Sequence, residues 1–94
     1  MKEIRLNGEK MINKAATHAY LKEKLALPSY YGENLDALWD CLEEDPSERK
    51  VILYNTKAMI DNLGSYGEGI INLLEQVAME NNNIIVEIER DSGV

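Results

Sequence analysis

The run Val51-Ile52-Leu53-Tyr54 constrains this chain more than any other stretch. A short continuous apolar run is the pattern of a strand covered on both faces, and it belongs in the middle of a sheet. A middle strand needs a neighbour on each side. Ile84-Ile85-Val86-Glu87-Ile88 supplies one, and Lys2-Glu3-Ile4-Arg5-Leu6, alternating polar and apolar before the turn pair Asn7-Gly8, supplies a half-buried other. With 94 residues there is room for these strands and no more, so the first and last are edges. Lys2, Arg5, Glu87 and Glu89 are then the charges that discourage edge-to-edge pairing.

Between the strands the spacing turns helical. From an N-cap at about Asn13, residues His18, Leu21 and Leu25 recur on one face with Lys22, Glu23 and Lys24 between them, until Pro28 stops the helix. Tyr30-Tyr31-Gly32 is a connector. A second helix starts near Glu33 or Asn34, where Glu33 and Asp36 suit the positive end of the helix dipole, and Asp45-Pro46-Ser47 ends it. Residues 56–62 form a short helical piece, Gly64-Ser65-Tyr66-Gly67 breaks it, and Ile70, Ile71, Leu74, Val77 and Ala78 mark a last helix that ends at the Asn triplet 81–83. The order strand, helix, helix, strand, helix, strand predicts one small α/β domain over residues 1–94. Its parallel strands are joined by right-handed helical crossovers.

Charge narrows the function. Ten Lys and Arg against seventeen Asp and Glu give a net charge of −7, which argues against nucleic acid and anionic membrane as partners, since both reward positive charge. The distribution says more than the total. Residues 25–48 hold Glu33, Asp36, Asp40, Glu43, Glu44, Asp45 and Glu48 and no Lys or Arg. The preceding 24 residues are net basic, with six Lys and Arg against three Glu. Cys41 is the lone cysteine, so neither a disulfide framework nor a Cys/His metal cluster is expected, and a reducing cytoplasm fits. No signal-like run opens the chain, and no stretch approaches the roughly 18 apolar residues of a membrane span.

A helical wheel at 100° per residue orders the acidic segment. With Leu35 at 0°, Leu38, Trp39 and Leu42 fall at about 300°, 40° and 340°, while Asp36, Asp40, Glu43, Glu33 and Glu44 fall between about 80° and 180°. One face is core and the adjoining face is an acidic ridge. Asp36 and Asp40 are a like-charge pair one turn apart, and Glu43 and Glu44 stand at the wrong end of the dipole. A solvated face kept for solubility accounts for acids, but not for the complete absence of Lys and Arg. Trp39 flanks the ridge, either as a core-edge tryptophan or as an interface aromatic, and Tyr30 and Tyr31 lie just before the helix.

Catalysis finds little support. His18 is the single histidine and lies on an apolar stripe, which suits a packing role. Cys41 has acids and no base near it in sequence, the opposite of what activates a thiol. Glycine-rich phosphate loops, nucleophile elbows and HExxH are missing, and paired helical carboxylates alone make neither a metal site nor an acid/base pair. No cofactor and no metal are expected.

Residues 25–42, LALPSYYGENLDALWDCL, resemble the signature of the barstar family, intracellular protein inhibitors of guanyl-specific microbial ribonucleases. The resemblance implies a three-stranded parallel α/β layer like the one read above. It also implies that the connector and acidic helix cover a ribonuclease active site, with Asp40 in the place of a substrate phosphate and Asp36 as the second charge. Tyr30, Gly32, Asn34 and Trp39 match neighbouring contact positions, and Glu80, ending the last helix, resembles a peripheral acid that the family points at the enzyme. The chain departs from the pattern after Leu42. Glu43-Glu44-Asp45-Pro46 stands where the family continues with a small residue, a glycine and an aromatic, and Gln76 occupies what can be an acidic position. These departures bear on the partner, either the familiar ribonuclease or a toxin domain on a larger protein. An interaction module that binds another basic protein is the alternative function.

Overall fold

In the computed structural model, which describes residues 1–90, strands β1 (Lys2–Asn7), β2 (Arg49–Tyr54) and β3 (Ile84–Ile88) form one parallel sheet in the order β1-β2-β3. The apolar run lies at its centre, as expected. Helices α1 (Lys14–Lys24) and α2 (Leu35–Glu44) make the first crossover, and α3 (Thr56–Leu63) and α4 (Ser65–Glu80) the second. The fold is a small α/β layer with the barstar-like order of elements. Among the described residues no helix is long and apolar enough to cross a membrane. The expected domain runs to residue 94, and residues 91–94 lie outside the described residues.

The register shows that the middle strand is not covered by helices on both faces. Ile4, Val51 and Val86 are aligned across the sheet, as are Leu6, Leu53 and Ile88, and these rows meet the helical core side chains Leu21, Leu38, Leu42, Met59, Ile70, Ile71, Leu74 and Val77. All four helices therefore pack on one face. With strands in sequential order, two crossovers of the same hand must lie on the same side. The other face carries Glu3, Arg5, Lys50, Tyr54, Ile85 and Glu87, crossed by a Lys50–Glu87 ion pair at 2.9 Å and by Arg5 over the Tyr54 ring at 5.0 Å. Ile52 is on this open face yet only 4% exposed, set on the central strand between its register partners Arg5 and Glu87.

Element boundaries differ from the sequence reading where backbone conformation intervenes. Helix α1 stops at Lys24, before Pro28. Its exit is a left-handed turn at Ala26 (φ 52°), with the Ala26 amide donating to the Glu23 carbonyl and the Leu27 amide to the Lys22 carbonyl. Glu33 also adopts a left-handed φ of 54°, so it precedes α2 rather than belonging to it. Only Gly64 (φ 59°) interrupts the second crossover; Ser65, Tyr66 and Gly67 are already helical. Strand β2 starts two residues earlier than the apolar run, at a buried Arg49.

Candidate protein interface

Helix α2 sorts its side chains as the wheel requires. Leu38 and Leu42 are fully buried, Leu35 and Trp39 pack half-buried against the core, and Asp36, Asp40, Glu43 and Glu44 are exposed. Among the described residues none of these four carboxylates forms an ion pair. Asn34 caps the helix, its Oδ1 accepting from the Ala37 amide at 2.8 Å while its Nδ2 donates to the Gly32 carbonyl at 3.2 Å. The cap thereby joins the connector to the first turn of the acidic face.

The connector is held from beneath by a buried histidine. His18, on α1, has both ring nitrogens engaged: Nδ1 lies 2.6 Å from the Tyr31 hydroxyl and Nε2 2.6 Å from the Tyr66 hydroxyl on α4. One ring N–H donates to one tyrosine oxygen while the other nitrogen accepts from the second hydroxyl, an arrangement suited to neutral imidazole. Burial lowers the His18 pKa below its ordinary value, partly opposed by Glu33. Burial likewise pushes the Tyr31 hydroxyl up, with Tyr66, Cys41 and Glu33 adding to the shift, so it stays protonated. His18 has the packing role expected of it, and it also ties α1, the connector and α4 into one unit.

Because Tyr31 turns inward, Tyr30 turns outward and is 76% exposed. It stands between two open clefts. One, of about 170 Å³, is lined by Tyr30, Tyr31, Gly32, Ala37, Asp40, Cys41 and Glu44. The other, of about 300 Å³, is lined by Ala26, Leu27, Pro28, Tyr30, Cys41, Glu44 and Asp45. Cys41 forms part of both walls, and burial followed by the nearby Glu44 and Asp40 charges raises its thiol pKa.

The structure thus brings Tyr30, Gly32 and Asp40 around one cleft, with Asn34 capping behind them and Asp36 one turn along the same helix. Trp39 lines neither cleft and packs against the core edge. Glu80 is exposed at the end of α4, on a different element. Glu44 and Cys41, absent from the expected contact set, line both clefts. Glu44 was detectable as the residue four positions after Asp40. Cys41 was not, because only the folded connector places Tyr30 against its side of the helix.

Comparison with known proteins agrees with this architecture. The family model described as Barstar (barnase inhibitor) matches residues 1–89. A protein of Bacillus subtilis (strain 168) named "Putative ribonuclease inhibitor YrdF" is 36% identical over 81 residues, which cover 85% of this chain and 89% of that protein. A match running through every strand and helix of the layer, with the connector and acidic helix inside it, makes the chain a member of the barstar family.

Proposed function

We propose that this chain is a protein inhibitor of a guanyl-specific, barnase-type microbial ribonuclease, and that α2 and the connector before it cover the enzyme's active site. The observation that carries this reading is the pair Asp36 and Asp40, exposed, without ion-pair partners among the described residues, on a capped helix beside the Tyr30 cleft. A ribonuclease must hold a phosphodiester among cations. A fixed carboxylate can take that place while offering no bond to cleave.

Asp40 is the phosphate mimic and Asp36 reinforces its field. Tyr30, Gly32, Asn34 and Trp39 form the surrounding contact surface, and Glu80 adds a peripheral charge. Rigid placement on a helix lowers the ordering cost of binding, and the acidic field steers a basic partner. The chain acts by occupancy and not by catalysis: both nitrogens of His18 are engaged, and the Cys41 thiol is held in its protonated form.

Titration against guanyl-specific ribonucleases tests this reading. Inhibition is expected, with Asp40→Ala weakening it by at least about 30-fold and Glu89→Ala leaving it within about twofold. Equal effects of the two substitutions would remove α2 from the binding face. Glu44 lining both clefts favours a second reading, in which the same face binds another basic protein or a toxin domain. No inhibition across the ribonuclease panel at micromolar protein would select it.

A further inference from the structure

Helix α2 has an electrostatic fault at its C-terminus. The last turn contains no basic residue and carries Glu43 and Glu44 at the negative end of the dipole. An exposed Lys or Arg there would correct the fault and would also cancel part of the acidic face. The correction comes from below. Arg49, the first residue of β2, is 3% exposed; its Nη2 donates to the Leu42 carbonyl at 2.8 Å, and its Nη1 donates to the carbonyls of Asp45 at 3.0 Å and Ser47 at 2.7 Å.

The guanidinium therefore engages the last turn of α2, its C-cap Asp45 and the connector to β2 together. Its own backbone is held where all three strands begin, opposite Lys2 and Ile84, with its amide donating to the Asn83 carbonyl at 2.9 Å. A buried charge is tolerated when its donors are used, and no buried side-chain polar atom among the described residues lacks a partner. The Asp45 carboxylate lies 3.9 Å from Nη1 and accepts from the Ser47 amide at 2.9 Å, completing the turn.

We propose that Arg49 is a positioning residue for binding: a buried cationic clamp that sets the C-terminal half of α2 on the sheet, and so the direction of Asp40 and Glu44, without adding positive charge to the exposed face. Its effect on binding rests on the inhibitor reading above; the clamp itself does not. Arg49 is also the first base after residues 25–48.

Two readouts on Arg49→Met and Arg49→Lys test the clamp. Amide hydrogen exchange of the free protein should show the last turn of α2 opening about 10- to 100-fold more readily in Arg49→Met, with Val51 and Leu53 amides unchanged and Arg49→Lys intermediate. Against an inhibited ribonuclease, Arg49→Met should raise the dissociation rate by about tenfold or more while association stays within about twofold, because the exposed acids are untouched. Exchange that rises equally across sheet and helix would overturn the clamp, marking Arg49 as a general stability residue. An unchanged dissociation rate would overturn its positioning role. If the wild-type chain inhibits no ribonuclease, the inhibitor reading falls, and exchange confined to α2 or spread over the sheet still decides the clamp. If Arg49→Met does not fold, Arg49→Lys decides it by the same two readouts.

Discussion

His18 gives the protein a pH dependence whose sign follows from burial. Its pKa in the fold is below the unfolded value of 6.5, so on acidification the unfolded chain takes up a proton before the folded one does. Stability is therefore held above that value and declines as pH falls from it toward the folded pKa. Urea denaturation at about pH 7.5 and about pH 5.5 should show a lower midpoint at the acid pH, and His18→Gln should flatten that difference. Asp45 acts in a separate window. Burial raises its carboxyl, but the Ser47 hydrogen bonds and the Arg49 and Lys2 charges outweigh this and leave it below 3.8, so its contribution is lost only as pH falls through that region. Gly8 is a different kind of constraint. A Cβ there would collide with the Asn55 carbonyl oxygen at the end of β2, and Gly8→Ala should cost about 1–3 kcal/mol in chemical denaturation.

Helix α2 is defined by its two ends more than by its middle. At its entrance Asn34 caps the first turn, and Asn34→Ala should lower stability by about 1 kcal/mol while also loosening Gly32, the connector residue its amide holds. A change in unfolding midpoint with no change in dissociation from a ribonuclease that the chain inhibits would separate the cap from the proposed contact surface. The exit of α1 has the reverse character. Ala26 adopts a left-handed conformation that favours glycine, and the residue is exposed, so Ala26→Gly should stabilise the protein by about 0.5–1 kcal/mol without loss of packing. Thermal melts of the two variants should move in opposite directions.

The charge of the described residues is directional. Helices on one side of the sheet leave the mixed-charge strand face on the other, while the acids of residues 33–45 line the connector and α2. If the proposed ribonuclease is the partner, it meets an oriented field, and its association rate should fall steeply as ionic strength rises past the range where the screening length is about 10 Å. Stopped-flow association across a salt series checks this. A flat profile would mean that the distribution of charge plays no part in encounter.

Much of this molecule was legible from residue order. Strand alternation, the apolar run and the helical stripes are local periodicities, and the wheel placed the core and acidic faces of α2 correctly because a regular helix leaves a side chain little choice of direction. Asp36 and Asp40 could be located on an exposed ridge for the same reason. The tertiary structure decided what periodicity cannot carry. Ile52 is buried by neighbours on adjacent strands rather than by a second layer of helices, Tyr30 faces out because Tyr31 is drawn in by His18 from α1, and Arg49 closes a helix seven residues away. Each of these depends on groups that meet only after the chain has folded, and their energies come from burial and hydrogen bonding at those meetings.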